Sequence, residues 1–363
     1  TGLIVEGGTL TVKTGGGSEN ASTVTGGGWG NWGRPDMPGG TETEADNGDT
    51  TSAKGLKAAV DITITGGDIT VDASDDTVHA NGTVTIGGGA LTLSSGDDGI
   101  HADASLTISG GTIEIAQSYE GIEGADIRIE DGHIRLKASD DGLNAVGGSD
   151  GSPLNGRPGQ NSFASGGNHT ITITGGTIIV DADGDGVDAN GSIEMTGGTL
   201  LVCGPTNSGN GALDFDGSFQ MDGGILVAIG SLGMAQTPSD SSTQSVAALS
   251  LTSRSANTPL HLADADGNGL LTFVPTKAYQ SVILSTPTLK TGEAYTLFTG
   301  GEATDETTEG LYASYTDGEE ALTFTLSDVV TSASEDGAAI GGMGGNPGGM
   351  GGNPGGMNRP GRR

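Results

Sequence analysis

One short acidic phrase recurs along the middle of the chain and constrains the fold more than any other feature. Its copies are ASDDTVHANG (73–82), SSGDDGIHAD (94–103), QSYEGIEGAD (117–126), KASDDGLNAV (137–146) and DADGDGVDANG (181–191). Equivalent positions are separated by 22, 22, 22, 21 and 44 residues, and they are Lys54, Asp76, Asp98, Glu120, Asp141 and Asp185. A fixed period of this length is typical of a solenoid, because one repeat cannot bury its apolar face alone and stacked copies can.

Apolar and polar residues alternate within each copy, which is the period of a β-strand. Each copy holds three such segments, which in the first regular copy are Ile62/Ile64, Ile69/Val71 and Val78/Ala80. A Gly-Gly pair such as Gly66-Gly67 separates the first two segments, and glycine tolerates the positive φ that a tight corner requires. Three strands and three corners in about 22 residues predict an all-β parallel β-helix of at least eight coils.

Stacked coils place equivalent side chains in columns about 4.8 Å apart along the axis. The acidic copies then form three neighbouring columns that we expect to face outward from one edge. They comprise Asp76, Asp98, Glu120, Asp141 and Asp185; Asp75, Asp97, Tyr119, Asp140 and Gly184; and Lys57, His79, His101, Glu123, Asn144, Asp188 and Asp214. Two carboxylates at that spacing repel by about 1 kcal/mol in water and by more near a protein surface. The columns must therefore take up protons or hold cations.

Paired oxygen ligands of this kind favour Ca²⁺, which accepts about 6 to 8 oxygens in flexible geometry. The sequence therefore predicts calcium as the cofactor. The alternative is a solvated acidic face without metal. Against that alternative, the paired acids are confined to one corner, whereas the other outward columns are mainly Thr and Ser, including Thr63, Thr85, Thr107 and Thr172.

The composition excludes several partners. The chain has 363 residues and a formal charge of −32, so we expect it to bind neither nucleic acid nor an anionic membrane unaided. No apolar run approaches the roughly 18 residues of a membrane span. The single Cys203 permits no intramolecular disulfide and is interpreted as structural. Because Thr1 is not an initiator and the chain opens inside a repeat, we expect a processed or trimmed product.

The repeat pattern also predicts the domain organisation. Residues 1–240 form the parallel β-helix, with loop insertions at 15–51 and 146–168. Residues 241–333 carry strands without the Gly-Gly corner, and we interpret them as a β-rich C-terminal cap or small domain. Residues 334–363 are rich in Gly, Met and Pro and are predicted to be a flexible tail.

Several residues are candidates for contact with a sugar. The first insertion holds both tryptophans, Trp29 and Trp32, whose faces are suited to the apolar side of a sugar ring. The alternative is that both tryptophans pack the loop against the coils. Further candidates along the acidic edge are Tyr119, His79, His101 and Lys137. The two histidines are also interpretable as ladder partners of carboxylates, and Lys137 as a partner of Asp181 in the next coil.

Together the motifs resemble a known family. The SDDGIHA-like repeats, the SYEGIEG copy, the block from Asn190 to Gly198, GNGALDFDGSF at 209–219 and GMAQ at 233–236 are similar to the calcium-binding, carbohydrate-binding β-helix family of clostridial surface proteins. That family is typified by polygalacturonate binding, and the similarity covers about residues 1–330. It implies a right-handed parallel β-helix with pectate-lyase-like architecture, on a bacterial protein that is secreted or attached to the cell surface.

The resemblance also implies a set of calcium ligands. Carried over position by position, they are Asp75, Asp76, Asp97, Asp98, Glu120, Asp140, Asp141, Asp183, Asp185 and Asp188. Lys54 and Lys57 depart from the pattern, because they occupy the first positions of two columns in which later coils carry acid or histidine. Calcium between the first two coils is therefore in doubt.

Three classes of function remain open on the sequence alone. The leading hypothesis is a non-catalytic module that binds acidic polysaccharide such as polygalacturonate, with cellulose-type glycans as a further partner, through shared calcium. The first alternative is a calcium-dependent polysaccharide lyase, for which Lys137 is the central candidate base. The second alternative is a structural surface solenoid. Fold kinship does not by itself confer chemistry, so the binding module is preferred.

Overall fold

The structure is a computed structural model that describes residues 2–21, 53–146 and 168–337. These residues form β-strands and one short 3-10 helix, Ser18–Asn20. The strands are Leu3–Val5 (β1), Thr9–Thr14 (β2), Leu56–Ala58 (β3), Ile62–Ile64 (β4), Asp68–Ala73 (β5), Val78–Ala80 (β6), Thr83–Ile86 (β7), Ala90–Ser95 (β8), Ile100–Ser118 (β9), Ile122–Ala138 (β10), Leu143–Ala145 (β11), His169–Ile173 (β12), Thr177–Ala182 (β13), Val187–Ala189 (β14), Gly191–Cys203 (β15), Leu213–Phe215 (β16), Phe219–Gly230 (β17), Val246–Arg254 (β18), Leu260–Asp264 (β19), Gly269–Phe273 (β20), Tyr279–Ser285 (β21), Ala294–Thr299 (β22), Glu302–Thr308 (β23), Leu311–Thr316 (β24), Glu319–Thr325 (β25) and Val330–Ser334 (β26).

Three series of parallel strands organise the first two thirds of the chain. The first series runs β1, β4, β7, β9, β10, β12, β15 and β17. The second runs β2, β5, β8, β9, β10, β13, β15 and β17. The third runs β3, β6, β9, β10, β11, β14 and β16. The prediction of an all-β chain with extensive parallel pairing is confirmed.

The pairing register aligns the predicted columns. In the third series Lys57 pairs with His79, His79 with His101, and His101 with Glu123. The same column continues through Asn144, Asp188 and Asp214. Every step keeps a core residue opposite a core residue, because a slip by one residue would turn the whole apolar set to the opposite face.

Alternate residues of the parallel strands meet in one continuous apolar core. Ile62, Ile64, Ile69 and Ile108, for example, are fully buried in it. Corners between strands depend on glycine. The second residue of each pair has a left-handed φ, with values of 108° at Gly67, 103° at Gly89 and 95° at Gly111. A Cβ at Gly89 would also lie only 3.0 Å from the carbonyl oxygen of Gly67.

The C-terminal strands pack on the outer face of the last parallel strands. Strand β21 pairs antiparallel with both β17 and β18, and β26 pairs parallel with β18. A separate six-stranded sheet has the order β23-β24-β20-β19-β22-β25, with antiparallel pairings. Strand β15 is buried on both sides, since Leu200 and Val202 face the first core while Leu201 and Cys203 face a second core beneath this sheet.

The described chain remains packed as far as its last residues. The guanidinium of Arg254 donates to Glu335 at 2.9 Å, and Glu335 in turn accepts from the backbone N–H of Thr252 at 2.8 Å. None of the described residues belongs to a helix with the length and apolar character needed to cross a bilayer. Trp29 and Trp32, together with most of the two predicted insertions and of the tail, lie outside the described residues.

Neighbouring positions on β9 give a test of the core assignment. Ile108 is fully buried and Thr107 is on the outer face. We expect Ile108→Ala to lower the free energy of unfolding by about 2 to 5 kcal/mol, because it leaves a cavity in a packed interior. The control, Thr107→Ala, should change it by no more than about 0.5 kcal/mol. Denaturant unfolding followed by circular dichroism measures both, and equal losses would contradict the assignment.

Candidate functional site

The acidic corner lies in the turns that lead into the third series of strands. Its central column consists of Lys54, Asp76, Asp98, Glu120, Asp141 and Asp185. The prediction that this column faces solvent is wrong for its first members, since Asp76 and Asp98 are at most 1% exposed and Glu120 is 4% exposed. The first coils of the corner therefore enclose their carboxylates rather than displaying them.

Backbone hydrogen bonding explains this burial. The Asp98 N–H donates to Oδ1 of Asp76 at 3.2 Å, and the Asp185 N–H donates to Oδ1 of Asp141 at 2.6 Å. The Gly211 N–H continues the pattern by donating to Oδ1 of Asp185 at 2.6 Å. Because a buried N–H must find an acceptor, these carboxylates turn along the axis toward the next coil instead of outward.

Basic side chains lie against the first carboxylates of the corner. The buried ammonium of Lys54 contacts Asp76 and lies 3.2 Å from Oδ1 of Asp75. Nδ1 of His79 lies 2.7 Å from Oδ2 of Asp76. Burial opposes ionisation of Asp76, but the hydrogen bond with His79 and the charge of Lys54 outweigh it and hold its pKa well below the usual range. The departure noted at Lys54 thus places a lysine ammonium where the resemblance implied calcium.

His101 neutralises the next carboxylates. Its ring stacks on His79 with centroids 4.8 Å apart. Nδ1 lies 3.0 Å from Asp98, and Nε2 lies 3.1 Å from Asp103. Burial alone would lower the pKa of His101, but the hydrogen bonds to Asp103, Asp98 and Glu123 raise it well above its ordinary value. Both ring nitrogens of His101 face carboxylates, as does Nδ1 of His79. Both histidines are about 1% exposed, which is the arrangement of ladder partners.

The middle of the column is only partly compensated. Nδ2 of Asn144 donates to Glu120 at 2.7 Å. Burial, followed by the charges of Glu123 and neighbouring acids, raises the pKa of both Asp98 and Glu120 well above the ordinary value. Oδ1 of Asp98 and Oδ1 of Asn144 are buried, and within the described part of the chain neither has a hydrogen-bond partner.

The last coils of the acidic corner bring three aspartates together. One carboxylate oxygen from each of Asp141, Asp185 and Asp188 lies within 4.8 Å of the others. We call these three residues the aspartate cluster. Burial first, and then neighbouring carboxylates, raises the pKa of Asp185 to about 6, that of Asp188 to about 7 and that of Asp141 well above its ordinary value. Nowhere in residues 2–21, 53–146 and 168–337 does a lysine, arginine or histidine form an ion pair with the cluster.

Two further features lie beside the aspartate cluster, a glycine and an additional acid. Residue 184 is glycine, and a Cβ there would lie 2.5 Å from Oδ1 of both Asp140 and Asp141, so this glycine keeps both oxygens accessible. Asp214 follows Asp188 in the strand register, and burial raises its pKa also. Nε2 of Gln236 donates to Asp214. Asp214 belongs to a column read from the sequence but was absent from the predicted ligands.

The other candidate residues lie elsewhere along the corner. Asp97 is buried with Asp75 and Asp76 at the end that contains Lys54. Tyr119 is half-buried and forms a hydrogen bond with Asp140. Burial and this hydrogen bond raise the pKa of Tyr119 well above the usual range. Asp183 points away, because its side chain is 69% exposed and lies 2.7 Å from Nζ of Lys277.

Asp181, the expected partner of Lys137, pairs with Lys277 instead. Although Lys137 is in register with Asp181, the ammonium 2.9 Å from Asp181 is that of Lys277. The prediction that Lys137 pairs with Asp181 is wrong. No repeat pattern could have indicated Lys277, because it follows the parallel strands and comes from a loop about 94 residues beyond Asp183. Lys137 is exposed and lines a separate pocket on the outer face.

A protein-family model described as carbohydrate-binding domain-containing protein matches residues 1–99 and 97–262. The chain belongs to this carbohydrate-binding domain family. The matched residues include every strand of the three parallel series and the whole acidic corner. Neither the curated proteins nor the solved structures gave a match.

Membership of the carbohydrate-binding domain family supports the part of the resemblance that concerns sugar binding, and a carbohydrate is the implied partner. The family description names no metal and no particular sugar. The chemistry of the acidic corner is therefore the basis for assigning the groups that engage the carbohydrate.

The buried ammonium of Lys54 gives a test of the corner. We expect Lys54→Met to lower the free energy of unfolding by about 3 to 5 kcal/mol, because it leaves buried carboxylates without their cation. Lys57→Met is the matched control, since Lys57 is exposed in the same coil. Thermal or denaturant unfolding in a chelator compares the two proteins. A loss for Lys54→Met no greater than that for Lys57→Met would show that the ammonium is dispensable.

Proposed function

We propose that the chain is a non-catalytic module that binds acidic polysaccharide through calcium held at the aspartate cluster. The observation that carries the proposal is the gathering of Asp141, Asp185 and Asp188 within 4.8 Å without a cation from the described part of the chain. Membership of a carbohydrate-binding family supports the choice of ligand class. Polygalacturonate is the representative polymer, and the proposed location is outside a bacterial cell or on its surface.

The proposed scaffold is a right-handed parallel β-helix with three strands per coil. Three parallel series that share one apolar core support it, as does the spacing of 22 residues between successive carboxylates in the corner. The handedness follows the general preference of parallel crossovers. In this arrangement the acidic corner forms a continuous edge, along which an extended polymer could lie.

The residues at the cluster fit calcium. Ca²⁺ prefers oxygen ligands and accepts them from carboxylates and backbone carbonyls in flexible geometry. Asp141, Asp185 and Asp188 are the proposed ligands, with Asp140 and Asp214 beside them. The absence of a side chain at Gly184 leaves room at the oxygens of Asp140 and Asp141. At the opposite end, Lys54 contacts Asp75 and Asp76, and His101 contacts Asp98, so we place no calcium between the first two coils.

Bound calcium would supply positive charge that protein carboxylates and a uronate carboxylate share. This explains how a chain of formal charge −32 could retain an acidic polymer that it would otherwise repel. The aspartates position and charge the site, and glycine keeps it open. Tyr119, partly exposed beside Asp140, is the described aromatic side chain proposed to contact sugar at this edge.

The position of Lys137 supports binding over lyase chemistry. A lyase requires a base beside the metal-bound uronate. Lys137 instead lines a pocket with Arg135 and Tyr312, and no member of the aspartate cluster lines that pocket. Lys277 is held by Asp181 and Asp183.

Calcium should stabilise the folded protein. At a concentration about 100 times its dissociation constant, we expect Ca²⁺ to raise the free energy of unfolding by roughly 2.7 kcal/mol. The double variant Asp185→Asn, Asp188→Asn should lose most of this gain. The amide oxygen introduced at position 185 can still accept from the Gly211 N–H, so the hydrogen bond between coils is kept. Asp183→Asn, a control with a charge change in the same turn, should keep it. Unfolding with calcium and with a chelator provides the measurement, and an equal gain in all three proteins would exclude the cluster.

Retention of polygalacturonate should depend on calcium. We expect the protein to bind immobilised polygalacturonate in calcium, to release it in a chelator, and to form no unsaturated product that absorbs in the ultraviolet. Asp185→Asn should weaken retention by at least about tenfold, because a carboxylate ligand to the metal is lost. Asp183→Asn serves again as control. Accumulation of unsaturated product would replace the binding module with a lyase, and retention unaffected by chelator would remove calcium from the mechanism.

A further inference from the structure

A pocket of about 220 Å³ lies between the outer face of the parallel strands and the C-terminal antiparallel sheet. One wall comprises Arg135 and Lys137 from β10 with Ile179 from β13. The opposite wall comprises Phe273 at the end of β20, Glu306 of β23 and Tyr312 of β24. The pocket exists only where the two sheets meet, and it is separate from the aspartate cluster.

Most charged groups at the pocket already form ion pairs. Arg135 lies 2.6 Å from Glu114 and 2.5 Å from Glu309. Asp181 at the rim is paired with Lys277. Glu306 accepts the Gly310 N–H at 2.9 Å and retains further acceptor capacity. The ammonium of Lys137 forms no ion pair with any residue that the structure describes, so it remains available to a ligand.

The shape and lining indicate a small, amphipathic ligand. The volume is below the range of about 300 to 1,000 Å³ for pockets that hold drug-sized molecules, so one ring fits and a polymer segment does not. Tyr312 is partly exposed and Ile179 is apolar, which suits the C–H face of a sugar ring. Lys137 can donate hydrogen bonds and Glu306 can accept them, which suits hydroxyl groups that do both.

We propose that this pocket is a second carbohydrate subsite, independent of calcium, that takes a single neutral sugar at the end or branch of a glycan chain. A uronate is disfavoured, because carboxylates outnumber cations around the pocket and would repel another carboxylate. Arg135 is shared by Glu114 and Glu309, and Lys277 is shared by Asp181 and Asp183. The choice of a sugar as ligand class rests on the family match, which includes the wall formed by β10 and β13 and ends before β20, β23 and β24. The subsite does not depend on the aspartate cluster. It would allow one molecule to hold an acidic backbone and a neutral chain end together.

Calorimetric titration of the full chain in a chelator tests the subsite, with cellotriose, galactotriose, arabinotriose and trigalacturonate as probes. We expect at least one neutral trisaccharide to bind and trigalacturonate not to bind. Tyr312→Ala and Lys137→Ala should each weaken the neutral sugar by about tenfold. Lys290→Ala, which removes an exposed lysine elsewhere, and Asp185→Asn should leave that affinity unchanged.

The outcomes separate this subsite from the calcium site. Failure of every neutral probe to bind in chelator, tighter binding of trigalacturonate than of the neutral sugars, or unchanged affinity in both pocket variants would each overturn the subsite. Neither pocket substitution removes a fully buried side chain, and matching unfolding midpoints establish that the variants are folded. Loss of polygalacturonate retention in Asp185→Asn, with neutral-sugar binding intact, would support both sites separately.

Discussion

The acidic corner depends on one interaction, the acceptance of a backbone N–H in one coil by the carboxylate of the preceding coil. Asp76, Asp141 and Asp185 each make this contact with the equivalent residue of the next coil. The contact supplies an acceptor for a buried donor and joins successive turns of the chain. It also removes negative charge from solvent. Inside the protein, ionised carboxylates are costly unless they are paired. The fold therefore requires groups that compensate that charge.

The chain compensates the charge in two different ways. Lys54, His79 and His101 are placed within the first coils and contact Asp75, Asp76 and Asp98 directly. Further along, the column of His79 and His101 continues through Glu123 and Asn144 to Asp188, so its basic positions are replaced by acidic and neutral ones. The end with internal cations is suited to stabilising the fold, and the end without them is suited to recruiting a cation from solution. This gradient is the physical basis for placing the proposed calcium at the aspartate cluster.

Sequence periodicity predicted the alignment of the columns well and their surroundings poorly. The pairing from Lys57 through His79 and His101 to Asp214 follows directly from the spacing of equivalent residues, because a parallel register must keep the apolar positions in phase. The burial of Asp76 and Asp98 could not be read from that spacing, since alternation distinguishes the two faces of a strand but does not show which way a turn folds. Asp214 could have been included among the ligands, because its column was known.

The sequence by itself determined the parallel strands, the glycine corners and the residues that share each column, because these depend on local alternation and on a period that repeats along the chain. Only the tertiary structure decided how the C-terminal strands cover β15 and β17. As a result, Lys277 pairs with Asp181, and Lys137 remains available beside Tyr312. The contacts of the loop that carries Lys277 join residues about 95 positions apart that share no repeat. Their partners are set by the packing of two apolar faces, which no periodic pattern specifies.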